Sequence, residues 1–306
     1  MSGTYSHKKI CYGDDVKQIT RAHLALILIT IIWGLTFPLI RQALLNLDST
    51  WFVFLRFALA SLLFVVLLLV QRKFYWHKQL LLWGIAVGVI NSLSYSLQTL
   101  GLETVASGRA AFITGLNVVM VPLLAVAFKV AKSNWLDYFC AGLACLGIFI
   151  LCNPKQSPFT FGDAMVFISA IFYSLFVLSL QTVAKKFPKQ LNLLACYQVF
   201  GVLLASVVFL PLAKEVPSSL SSQAWVAIVF CATFATVGVF WLQTNYQHYT
   251  TPQRTSLIFS LEPVFAALFG YLLIAEKLGF NEVLGGAVIL MACLIPEFLK
   301  VKRVQN

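Results

Sequence analysis

Long apolar runs separated by short polar connectors fill the chain from Leu24 to Phe298, and none alternates in the manner of a half-buried strand. Runs of spanning length occur at Leu24–Leu45, Trp51–Val70, Leu80–Gly101, Arg109–Val130, Trp135–Cys152, Gly162–Val183, Leu191–Ala213, Ala224–Tyr246, Gln253–Ile274 and Phe280–Phe298. A helix needs about 20 residues to cross the hydrocarbon core. Inside lipid only helices and closed barrels satisfy their own backbone groups, and a barrel would require alternating segments of about ten residues. The pattern therefore predicts an all-α polytopic membrane protein with ten spans. The connectors carry helix-start residues: Ser49-Thr50 ahead of Trp51, Thr251-Pro252 ahead of the ninth run, and Asn281 and Glu282 at the start of the tenth. The expected division is a polar tail over 1–23, a first five-helix unit over 24–152, a linker over 153–161, a second unit over 162–298 and a short tail over 299–306.

Composition agrees and narrows the choice. Of 306 residues 60% are apolar and 11% charged, against about half and about a quarter in soluble domains, so a large water-soluble domain is excluded. The net charge of +11 comes from 22 Lys and Arg against 11 Asp and Glu. Those bases are unevenly placed. Sixteen, among them Lys8, Lys17, Arg72, Lys132, Lys186, Arg254 and Lys300, fall on the side of the N-terminus, five (Arg41, Arg109, Lys155, Lys214, Lys277) on the other, and Arg56 lies inside the second span. The charge thus reads as a topology signal with both termini cytoplasmic, and nucleic acid is not an expected partner. The surrounding bilayer is expected to be a bacterial inner membrane. No A-x-A-like processing site follows the first run, so that helix is expected to serve as its own insertion signal. The seven cysteines have neither metal-ligand nor disulfide-framework spacing, and they read as small apolar residues. No H-E-x-x-H, G-x-S-x-G or Gly-rich phosphate loop is present, which argues against an enzyme. No cofactor or metal is expected.

An internal repeat organises the chain. Offset by 145 residues, Leu97-Gln98-Thr99 meets Leu242-Gln243-Thr244, and Arg109, Ile113, Leu116, Val119 and Leu123 meet Arg254, Ile258, Leu261, Val264 and Leu268. That is eight identities in 27 positions, where roughly three are expected by chance. At an offset of 140, Trp33 meets Tyr173 and Arg41 meets Gln181. Five spans per copy is an odd number, so the second copy enters from the opposite side, giving the inverted repeat found in secondary transporters.

Several motifs resemble the ten-helix EamA-like branch of the drug/metabolite transporter superfamily over essentially the whole chain. They are the run Thr255–Gly270 with Leu261-Glu262-Pro263, then Glu276-Lys277-Leu278 and Gly285-Gly286, together with Trp33-Gly34 and Phe37, Leu55-Arg56-Phe57, and Ala111-Phe112-Ile113 with Pro122. The resemblance implies a basket of ten helices around a central cavity lined by helices one, three, four, six, eight and nine. It does not select among amino acids, other metabolites and drugs.

Polar residues inside the spans supply the candidate site. Asn91, Tyr95 and Gln98 form one stripe on the third helix, and a hydrogen-bonding side chain in hydrocarbon needs a partner or water. The repeat sets Gln243 opposite Gln98 and Asn117 opposite Glu262, and Trp241 and Asn245 pair at i, i+4. Trp33 and Tyr173 are repeat equivalents that could form facing aromatic walls. The competing reading of the amides is helix-to-helix bonding. Glu262 is a candidate for proton coupling or for accepting a substrate amine, or it serves the helix irregularity at Pro263. Arg56 lies on a helix that the resemblance places toward the periphery, where it is expected to snorkel or to pair with backbone carbonyls without touching substrate. The expected function is secondary transport of small organic metabolites by alternating access, with export of amino acids or related compounds first. The alternatives are an exporter of amphipathic drug-like cations and, from a different class, a channel or non-transporting membrane protein. The partners are the substrate, lipid and, for coupling, protons, with the chain acting as a monomer or dimer.

Overall fold

In the computed structural model the described residues are 12–105, 107–152, 159–217, 219–274 and 279–305, and all regular structure among them is helical. The ten spans are α1 (Tyr12–Ala43), α2 (Ser49–Val70), α3 (Lys78–Leu102), the pair α4 (Ser107–Gly115) and α5 (Asn117–Ala127), α6 (Trp135–Cys152), α7 (Phe161–Lys186), α8 (Leu191–Phe209), the pair α9 (Ser222–Ala232) and α10 (Val239–Tyr246) joined by a π-helical turn at Thr233–Gly238, the pair α11 (Pro252–Phe259) and α12 (Glu262–Ile274), and α13 (Phe280–Gln305). Eight spans are long and apolar enough to cross a membrane; within the fifth and tenth the apolar cores are the shorter Trp135–Ile150 and Val283–Pro296. We call the face where α1 begins the N-terminal face. Part of the expected linker, 153–158, and residues 1–11 of the expected N-terminal tail lie outside the described residues. Helix α1 is already formed at Tyr12, and α13 runs on through 299–305.

Local chemistry explains the boundaries. Asp48 caps α2 by accepting from the Thr50 N–H, Thr160 and Asp163 form a reciprocal capping box at α7, and Thr251 caps α11 with Pro252 in its first turn. The cap of α2 is one residue earlier than Ser49-Thr50 suggests. At the C-terminal ends of α2 and α5 the chain turns through Arg72 and Lys129, both left-handed with φ of 54° and 55°. The Lys73 N–H then returns to Leu68 O and the Val130 N–H to Ala125 O, which satisfies last-turn carbonyls.

The inverted repeat is written in the hydrogen bonds. The fourth span breaks at Leu116, where the N–H groups of Leu116 and Val119 bond to Ile113 O (3.2 Å) and Leu116 O (3.0 Å). The ninth breaks at the equivalent Leu261, where those of Leu261 and Val264 bond to Ile258 O (3.0 Å) and Leu261 O (3.0 Å). The two junctions touch, because a Cβ on Gly115 would lie 3.3 Å from the Pro263 ring. Arg41 donates to the carbonyl of Val105 and its equivalent Gln181 donates to Thr250 O, the equivalent carbonyl.

Close helix contacts hold the basket together. On Gly88 a Cβ would sit 2.2 Å from Gln198 O, and on Gly201 2.9 Å from Gly88 Cα, so α3 and α8 meet backbone to backbone. Where lipid tails offer no hydrophobic gain, such close packing carries helix association. Trp76, Trp83, Trp135 and Trp225 are exposed near span ends, as an interfacial belt requires.

Candidate functional site

Where the two broken spans approach α1, α3 and α7, a small cavity is lined by Trp33, Thr36, Ile40, Arg56, Ser94, Tyr95, Gln98, Thr114, Tyr173 and Glu262. Its volume is about 30 Å³, room for one or two waters. Trp33 packs edge-on against Tyr173 (centroids 5.7 Å apart) and Phe259 (5.0 Å). That repeat-equivalent residues touch places them near the axis relating the halves. Trp33 Nε1 is buried without a hydrogen-bond partner, and so is Tyr173 Oη, although the Gln243 amide is nearby. Gln98 Nε2 donates to Thr114 Oγ1 (3.0 Å), whose own proton goes to Ala110 O.

An acidic and a basic side chain share this cavity. Glu262 is the first residue of α12, 5% exposed, and no ion-pair partner lies within 4 Å of it among the described residues. Its place at a half-helix N-terminus suits a negative group. Arg56 corrects the expectation of a peripheral base: it is 2% exposed and lines the cavity. The part of the expectation that holds is its bond to a backbone carbonyl. Its Nη2 donates to Ala235 O (3.1 Å) and its Nε to Thr236 Oγ1 (2.9 Å), both in the π-helical turn, and its Cζ lies 4.7 Å from the Tyr95 ring centroid.

Of the ten residues singled out in the sequence, Trp33, Tyr95, Gln98, Tyr173 and Glu262 line the cavity. The others lie elsewhere. Asn91 is buried on α3 with its Oδ1 unpartnered, and Asn117, first residue of α5, is fully buried with neither amide atom bonded. Gln243 donates to Gln247 Oε1 (2.8 Å). Trp241 is 38% exposed against Tyr246, and Asn245 bonds Asn192 and its own Trp241 carbonyl. Thr36, Ile40, Ser94, Thr114 and Arg56 were not anticipated as lining.

Polar ties close both ends. On the N-terminal face Gln243 bonds Gln247, which reaches Val177 O (2.8 Å) and Gln181, and Gln181 holds Thr250 O (2.9 Å). The opposite face uses charge. Arg109 grips Asp163, with Nη2 to Oδ2 at 2.9 Å and Nε to Oδ1 at 2.7 Å, the second contact short but poorly aimed. The Arg109 guanidinium is thus engaged by a carboxylate of the other repeat. Lys214 meets Glu103 at 2.6 Å, and the hydrogen bond and charge of Glu103 raise the Lys214 pKa.

Two inverted units, each with an interrupted helix meeting at a central polar cavity, are an architecture that secondary transporters use. The chain belongs to the EamA-like transporter family, whose model matches it twice, over 20–153 and 160–296. An uncharacterized transporter of Archaeoglobus fulgidus is 29% identical over 283 residues, covering 92% of this chain and 87% of its own. The uncharacterized transporter YoaV of Bacillus subtilis is 25% identical, covering 92% and 98%. One solved crystal structure superposes with a TM-score of 0.73 at 13% identity, over 94% of this chain and 99% of its own, a likeness of fold.

Proposed function

We propose that this transporter moves small organic metabolites bearing an amino group, with amino acids or related compounds first among them, by alternating access about the central cavity. The observation that carries the reading is Glu262, a buried carboxylate without an ion-pair partner at the cavity wall. Such a charge is costly until a cation or a proton meets it. A substrate ammonium supplies that charge, and the faces of Trp33, Tyr95 and Tyr173 add about 0.5–2 kcal/mol each where they contact it. A cavity of about 30 Å³ holds no amino acid, so loading requires the halves to part at one face. The sixteen-to-five distribution of bases supports a cytoplasmic N-terminal face, while export across an inner membrane rests on the family likeness. Amphipathic cations are the second reading, favoured by the same aromatic wall.

Counterflow in proteoliposomes against labelled amino acids, nucleosides, S-adenosylmethionine and quaternary amines tests this. Saturable counterflow of an amine-bearing compound is expected. Flux linear in concentration, or no flux of any of these compounds, would overturn it. Glu262→Gln separates the two uses of that carboxylate: as the ammonium site its loss weakens exchange of amine-bearing compounds, whereas as a coupling-proton site alone its loss abolishes accumulation driven by a pH gradient while exchange persists.

A further inference from the structure

We infer that Arg56 recognises a substrate carboxylate, so that the cavity takes zwitterions, with the ammonium on Glu262 and the carboxylate on Arg56. The inference rests on the reading of Glu262 above and selects amino acids over simple cations. Arg56 is a fixed cation, 2% exposed, whose two hydrogen bonds go to neutral acceptors, Ala235 O and Thr236 Oγ1. Neutral acceptors occupy N–H groups but leave the charge uncompensated in a low-dielectric site. Glu262 lines the same cavity yet no ion pair within 4 Å joins the two. A ligand with separated opposite charges bridges that gap.

The setting holds the guanidinium ready for this. Thr236 spends its proton on Cys231 O (2.8 Å), five residues back in the π-helical turn, so its oxygen faces Arg56 as an acceptor. Tyr95 lies under the guanidinium at 4.7 Å. Nε and Nη2 are engaged by the π-helical turn, and no hydrogen bond of Nη1 to a backbone group is seen among the described residues, although the Tyr95 side chain is close enough to interact with the guanidinium; a carboxylate is matched by the planar fork. The scaffold itself does not demand a charge there. Counted from the helix starts Ser49 and Leu191, the eighth residue is Arg56 in α2 and Gln198 in α8. Gln198 is uncharged and donates to Thr244 Oγ1 within its own repeat (3.1 Å).

The test compares inhibition of counterflow by phenylalanine, phenylalaninamide and phenethylamine, and by the matching leucine series, in wild type, Arg56→Gln and Arg56→Lys. Wild type should favour the free acid over its amide and amine by about tenfold to a hundredfold, the worth of hydrogen bonds to a charged group. In Arg56→Gln the preference should collapse to within about threefold. Should that variant fail to fold, Arg56→Lys keeps the buried charge, loses the fork and should cut the preference about tenfold. Equal inhibition by acid and amine in wild type, or a preference unchanged in the variants, overturns the role of Arg56 while leaving that of Glu262 standing. If neither amines nor amino acids are exchanged, the Glu262 reading fails and this one with it.

Discussion

Replacing Asp163 with Asn should open the face opposite the N-terminus. Asp163 is fully buried, and its Oδ2 accepts from Arg109 Nη2 (2.9 Å), the Thr160 N–H (2.7 Å) and Thr160 Oγ1 (2.8 Å). The Thr160 bonds are local to the start of α7 and persist whichever face is open. Only the Arg109 contact joins the two repeats. Removing one partner of a buried pair costs about 3–5 kcal/mol, but the Arg109 side chain is 24% exposed and regains water, which lowers the figure to about 2–3 kcal/mol. The closed-to-open ratio at that face should fall by about 30-fold to 150-fold. Ile40, the cavity residue of α1 nearest that face, reports it as a single cysteine reacting with an impermeant maleimide. Faster labelling in Asp163→Asn, matched by Arg109→Gln, which removes the other partner and leaves the Thr160 bonds of Asp163 intact, is expected. An unchanged rate in a folded variant would refute the latch.

Three further outcomes follow from the geometry. Gln247→Leu strands the Gln243 amide and Val177 O in the N-terminal-face network, and thermal unfolding in detergent should show a loss of about 1–3 kcal/mol. Gly88→Val drives a side chain into the α8 backbone at Gln198 and Gly201, so monodisperse protein should be lost on size exclusion, whereas Gly142→Ala, with nothing within 4 Å of its Cβ, should express normally. Lys214→Met should cost within about 1 kcal/mol, because the Lys214 side chain is 72% exposed and its charge is screened by water. Since the folded Lys214 pKa is raised by Glu103, that contribution is complete below the ordinary lysine range and fades as pH rises through the raised value; melting curves of wild type and variant should converge only at strongly alkaline pH.

Much of this architecture is legible in the residues themselves. Apolar runs mark the spans because lipid enforces their length, and the 145-residue offset picks out equivalents that the backbone then treats identically at Leu116 and Leu261. The break in the fourth span is less visible. Pro263 removes a donor beside Leu261, but Val118 holds the equivalent position, so packing of Gly115 against Pro263 accompanies the first break where no residue announces it. Asn91 and Asn117 share helix faces with cavity residues yet are buried between helices, since a polar face at 3.6-residue spacing does not separate a cavity from a helix contact. Trp241 follows a π-helical turn, whose wider winding shifts the register of every later side chain. Arg56 carries a signal legible in the sequence, an ionisable group in mid-span, but the family likeness puts its helix at the periphery and so points away from the cavity that it lines.

The central claim is that the two repeats open reciprocally about one cavity. Spin-label distances test it most directly, with one pair on the opposite face at the exposed Leu45 and Val216 and one on the N-terminal face at Trp76 and Tyr249. In Asp163→Asn relative to wild type the first distance should lengthen while the second shortens or holds. Both pairs widening together would mean a channel, and no change in either would contradict alternating access.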